Sequence, residues 1–151
     1  MTSTQQHYST LDALRSAGAR YALGADQRDV DLFLSAFAPD GVLETYGAGE
    51  QSTRRQGHAE LSEVPGILSR FTSTHHLVGQ QEFEVSDDGS AATGWVYCTA
   101  RHLTRGADGT GGTDLAMFIR YRDEYVPAGD GRWVLKHRKV NVDWTETTAA
   151  N

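Results

Sequence analysis

A single cysteine, Cys98, is all the sulfhydryl chemistry this chain of 151 residues holds. No internal disulfide can form and no cysteine-built metal cluster can assemble, which points to a reducing, cytoplasmic compartment. Runs of about eighteen apolar residues, the length a membrane-spanning helix needs, are absent as well. The N-terminal MTSTQQHYST lacks the basic-then-apolar order of a secretory signal. The 14 Lys and Arg are outnumbered by 20 Asp and Glu and lie scattered along the chain, so nothing marks a nucleic-acid partner. Also missing are a glycine-rich phosphate loop following a strand, a histidine pair at helical zinc spacing and a GxSxG elbow. The adjacent histidines of THHLVG are not spaced to share a metal. A soluble single domain without metal or cofactor is the resulting expectation, over residues 9–145, with flexible ends at 1–8 and 146–151.

What is present is ordered as helices first and strands afterwards. In TLDALRSAGARYALGAD, Leu11, Leu14, Gly18, Tyr21, Ala22 and Ala25 recur at helical spacing, with Ser9 or Thr10 as cap and Gly24 as stop. RDVDLFLSAFAPDG predicts a second helix capped by Asp29, with Val30, Phe33, Leu34 and Phe37 on one face, broken by Pro39, Asp40 and Gly41. GVLETYGAG then reads as a strand. A third helical pattern in GHAELSEVPGILSRF (Leu61, Val64, Leu68, Phe71) carries Pro65 and Gly66, which predict a kink or break. Strands follow at 76–85, 91–104, 113–126 and 132–144, separated by DDGS, RGADGTGG and PAGDG. The class is α+β with an antiparallel sheet, and helices laid across the concave side of such a sheet would leave a pocket between the layers.

Several side chains could carry chemistry there. Asp26, at the end of the first helix, is either a turn carboxylate bonded to local backbone or a partly buried base or histidine partner. Alternation along 76–85 groups His75 with Leu77, Phe83 and Val85, and His76 with Glu82 and Glu84, so phase alone turns His75 inward. His102 shares a face with Gly94, Val96, Cys98 and Ala100, whose small side chains leave room for a ligand, although it also stands next to the strand end at Arg105. In WVLKHRKVNVDW, Arg138 falls in phase with Val134, Val140, Val142 and Trp144. A permanent cation among apolar neighbours requires a structural carboxylate or an anionic or carbonyl-bearing substrate as partner.

The order of elements, with RYALGADQRDVDLFLSAFAPDGVLE, RQGHAEL, THHLVG and RWVLKHRKVNVDW, resembles the SnoaL-like branch of the nuclear transport factor two-like, or ketosteroid-isomerase-like, superfamily. The resemblance implies a cone in which three N-terminal helices pack into a curved, mixed sheet around a deep apolar pocket, assembled as homodimers or homotrimers through the sheet. It further implies a reaction on an apolar cyclic, steroid- or polyketide-like molecule, with Asp26 and His76 as acid–histidine pair and Tyr21 and Arg138 as further catalytic groups. This places His76, not His75, inward. Tyr46 and His102 are similar to a second tyrosine and second histidine of scytalone dehydratase. Ala25 replaces another of its tyrosines, and Leu115 and Met117 lie near the places of its missing serine and asparagine. Val96, Val140, Val142 and Trp144 would form apolar walls, with Met117 also lining the pocket. The implied chemistry is that of a lyase or isomerase of dehydratase type. Polyketide cyclase, a limonene-type epoxide hydrolase using Asp114, Asp143 and Arg120, and a non-catalytic ligand-binding module are the alternatives.

Overall fold

The structure, a computed structural model, describes residues 4–47 and 49–151, with side chains from residue 9 onward. Helix α1 (Thr4–Gln27) is followed by a single turn and a half, α2 (Val30–Leu34), and by strands β1 (Phe37–Gly47) and β2 (Glu50–Gln56). Two short helices, α3 (Gly57–Leu61) and α4 (Val64–Ile67), lead through a 3₁₀ turn (Leu68–Arg70) into β3 (Ser73–Val85), β4 (Ala92–Arg105), β5 (Gly112–Pro127) and β6 (Trp133–Ala149). The strands form one open, curved sheet in the order β2-β1-β6-β5-β4-β3, antiparallel except for the parallel β1–β6 pair. The expected α+β, mixed-sheet architecture is therefore present, with α1 packed against β3 and β6.

Local differences from the sequence pattern have physical causes. Gly24 does not stop α1. A Cβ there would come within 2.4 Å of the Phe33 backbone nitrogen, so the glycine is a close approach between α1 and α2. The helix ends instead at Arg28, in the left-handed region (φ 59°), with the Asp29 N–H donating to the Gly24 carbonyl at 2.9 Å. Asp29 then caps α2 as expected, its Oδ1 accepting from the Leu32 N–H at 2.9 Å. Pro39, Asp40 and Gly41 do not break a helix, because β1 has already begun. They lie where the β1–β6 register shifts between Phe37 and Val42. The third helix divides at Ser62 and Glu63, and Pro65 sits in the first turn of α4, where its missing N–H is harmless. Strand β2 escaped the pattern because EQSTRRQ, an edge strand exposed at all positions but Arg55, has no alternation to read. Of the ends expected to be flexible, residues 1–3 lie outside the described residues, residues 4–8 belong to α1, and β6 reaches Ala149 by pairing with Thr113.

Two bulges decide which side chains look inward. On β3, Val78 pairs with Cys98 but Gln81 with Val96, so Gly79 and Gln80 together oppose Tyr97 and the alternation inverts across them. On β6, Val142 pairs with Ile119 and Trp144 with Phe118, which leaves Asp143 as the additional residue.

At the centre, Arg138 is 1% exposed and Asp123 fully buried. The guanidinium Nε and Nη2 donate to the two Asp123 oxygens at 2.9 and 2.7 Å, and the Tyr125 hydroxyl adds a third bond at 2.6 Å. The Arg138 Cζ lies 4.4 Å from the Tyr21 ring centroid and 3.9 Å from that of Tyr121. One cation thus joins α1 to β5 and β6. Removing one partner of a buried ion pair costs about 3–5 kcal/mol because the other charge stays buried. Asp123→Ala should lower the unfolding free energy measured by urea titration by that much, a large share of the roughly 5–15 kcal/mol of a typical domain. Arg138→Met with Asp123→Leu should recover part of the loss. Gly24→Ala, which forces α1 off α2, should cost about 1–3 kcal/mol in the same measurement.

Candidate active site

Asp26 occupies the last turn of α1, where the Arg28 reversal holds it against β3. One oxygen, Oδ1, lies 2.7 Å from His76 Nδ1 and 3.0 Å from the Thr74 hydroxyl, while Oδ2 accepts the His76 backbone N–H at 2.9 Å. Arg28 braces the same corner. Its Nη1 donates to the Ala25 carbonyl at 2.6 Å, the Asp26 carbonyl at 3.1 Å and Thr74 Oγ1 at 2.7 Å, and its Nη2 to the Leu68 carbonyl at 3.0 Å. Burial raises the proton affinity of the Asp26 carboxyl, but the His76 and Thr74 hydrogen bonds more than offset it and hold the group below the usual carboxylate value. The carboxylate is therefore ionised and accepts from Nδ1–H, which leaves the basic lone pair of the imidazole on Nε2.

His76 lines a cavity of about 210 Å³ between the helices and the concave face of the sheet. Tyr21, Ala25, His102, Met117, Val140 and Val142 line it too, as do Tyr121, Ile119, Arg55 and Arg70. Burial pushes the Tyr21 hydroxyl up to about 12, so it remains a protonated donor. His102 is 4% exposed and its ring centroid lies 5.9 Å from that of His76. Burial, and then the neighbouring His76, lower its proton affinity, and its buried Nδ1 has no hydrogen-bond partner among the described residues.

The two histidines are resolved by the bulge at Gly79 and Gln80. Phe83 and Val85 do face inward, as alternation says, but the inversion makes His76, with Thr74 and Val78, the inward set N-terminal to it, and His75 is exposed. Other expected residues fall elsewhere. Arg138 does not line the cavity. Its guanidinium is paired with Asp123 beneath Tyr21, the structural alternative left open by the sequence. Trp144 is 53% exposed and stacks on Phe118 on the convex face, because the bulge at Asp143 ends its phase with Val142. Tyr46 turns away with Glu44, to which its hydroxyl donates at 3.0 Å, while Leu43 and Thr45 face the cavity. Val96 is core packing, 1% exposed and outside the lining. The epoxide-hydrolase set does not converge, since Arg120 pairs with Asp143 at 2.7 Å and Asp114 with Arg101. Thr74, Arg28, Tyr121, Arg55 and Arg70 were not singled out by the sequence, and only the reversal at QRDVD, between two helical patterns, hinted at Arg28.

Residues 6–139 match the model of the SnoaL-like domain family. Among curated proteins, the chain is 27% identical over 140 residues to terrestric acid biosynthesis cluster protein E of Penicillium crustosum, covering 90% of this chain and 85% of that protein. Among solved structures it is similar to a putative scytalone dehydratase from Novosphingobium aromaticivorans, with a TM-score of 0.76 and 18% identity over 95% of this chain and 91% of the other. It is similar too to a hexachlorocyclohexane dehydrochlorinase, LinA type 2, with a TM-score of 0.78 and 14% identity over 99% and 95%. At these identities the structural likenesses speak for the shared cone, while the family match spans most of the sequence. The chain belongs to the SnoaL-like domain family.

Proposed function

We propose that this protein is a lyase or isomerase that removes a proton from carbon in a compact cyclic substrate without a cofactor. The observation that carries the reading is the 2.7 Å contact between Asp26 Oδ1 and His76 Nδ1 at the wall of the cavity. Nε2 of His76 takes the proton, and the C–H electron pair becomes the new double bond or enolate. In an elimination the leaving group departs with its own bonding pair. Asp26 keeps the imidazole in the reactive tautomer and stabilises the imidazolium that forms. Tyr21 donates to the developing oxyanion, and the His102 ring lines the same wall beside His76. Met117, Val140 and Val142 keep water out. Arg138 acts only through Tyr21, as its support.

The volume bears on the substrate. Drug-sized sites run to roughly 300–1,000 Å³, and a cavity of roughly 150 Å³ admits benzene. The present cavity of about 210 Å³ fits one or two rings better than a four-ring steroid. The names of the dehydratase, the dehydrochlorinase and the biosynthetic cluster protein support a small-molecule reaction of this kind.

Solvent deuterium exchange at the activated carbon of small cyclic ketones such as 2-tetralone, followed by NMR, tests the base. Exchange should be accelerated by the native protein and fall on the order of 10²- to 10⁴-fold in His76→Ala and in Asp26→Asn. The melting temperature of Asp26→Asn should stay within a few degrees of native. Unchanged exchange in both variants, or tight binding of the ketone with no exchange in the native protein, refutes the reading.

Acid sensitivity follows from the same groups. Asp26 and His102 both bind protons less readily folded than unfolded, so each contributes stability above its unfolded pKa and loses it as pH falls. For His102 the loss begins below about 6.5, the ordinary imidazole value. The urea midpoint should therefore decline between about pH 7 and pH 5, and the decline should be shallower in His102→Gln.

A further inference from the structure

The cavity wall reverses the charge balance of the chain. The protein carries a net charge of −6. Yet among the described residues that line the cavity there are two arginines and two histidines and no carboxylate, Asp26 standing behind His76. Arg55 is the unusual member. It projects from edge strand β2, of which it is the one half-buried position. Its Nε is buried without a hydrogen-bond partner among the described residues. The nearest carboxylate, that of Glu63, stops 3.7 Å from that nitrogen and is 65% exposed. Such a loose surface pair contributes little. A guanidinium cannot shed its charge and presents its donors in a fixed fork, so an arginine that lines the cavity with so loose a partner is poorly compensated, and a carboxylate bound in the cavity would compensate it. β2 and β3 are the two edges of the sheet, so Arg55 and His76 reach the cavity from opposite sides.

We propose that Arg55 determines specificity in the reaction described above, and that the substrate is a compact ring bearing a carboxylate. The carboxylate is held by Arg55 on the β2 side while the carbon to be deprotonated meets His76 on the β3 side. The inference rests on the His76–Asp26 reading for its chemistry but not for its binding. Arg70, exposed at the rim with its Cζ 4.8 Å from the Phe71 ring centroid, adds a positive potential that draws anions toward the opening.

Titration calorimetry with phenylacetate and its neutral counterpart phenylacetamide tests this. The native protein should prefer the carboxylate on the order of 10- to 100-fold, as expected for hydrogen bonds to a charged group. Arg55→Gln should abolish the preference, leaving amide affinity and melting temperature near native. Arg55→Lys should keep only part of it, since the charge remains but the fork is lost. His76→Ala should leave it intact. Equal binding of the two probes, no binding of phenylacetate at millimolar concentration, or a preference that survives Arg55→Gln overturns the inference. The two readings fail separately. Absence of the preference with His76-dependent exchange refutes the role of Arg55 alone, whereas a preference with His76-independent exchange refutes the base alone.

Discussion

The fold is arranged around one buried cation. Arg138 cannot be neutralised, so everything within reach must compensate it. Asp123 takes both donors of the fork, Tyr125 bonds Asp123 in turn, and Tyr21 and Tyr121 cover the guanidinium with their rings. Because Tyr21 belongs to α1 and the others to β5 and β6, the cluster sets where the helix lies on the sheet. Five residues further on, the same helix delivers Asp26. The distance between acid and histidine is thus governed by a charge pair that touches neither.

The second determinant is the way α1 ends. An arginine in the left-handed conformation is disfavoured by its Cβ, and here the side chain compensates by bonding three backbone carbonyls and Thr74. A cation beside the carbonyl end of a helix is also favourable to the helix dipole. The corner that results presents Asp26 to β3 with each of its oxygens already engaged, so the acid has one orientation.

The first two helices, the four long C-terminal strands and the inward face of α1 were legible in the sequence because they rest on periodicity, which short-range chemistry enforces. Asp26 and His76 were legible through motif resemblance, and the structure brings them together. What escaped was everything that depends on a phase change. Trp144 reads as a wall residue until Asp143 is inserted in the register, and His75 reads as the inward histidine until Gly79 and Gln80 share one partner. Neither bulge leaves a mark in a single sequence beyond a glycine in one of them. Arg138 illustrates a different limit, since alternation put it correctly among apolar neighbours but could not tell a structural carboxylate on another strand from a substrate. Asp123 lies fifteen residues earlier, and only the β5–β6 pairing joins the two.

The carboxylate of Asp26 grips both the ring and the backbone N–H of His76. A strand with two histidines in tandem is chemically ambiguous, since sliding it by one residue would still offer an imidazole to the cavity. With one oxygen on the side chain and the other on the main chain of the same residue, the acid selects which histidine occupies the position as well as how its ring is turned. The residue that tunes the base is in this sense also the residue that indexes the strand, and the geometry of the pair is written into the pairing of the sheet.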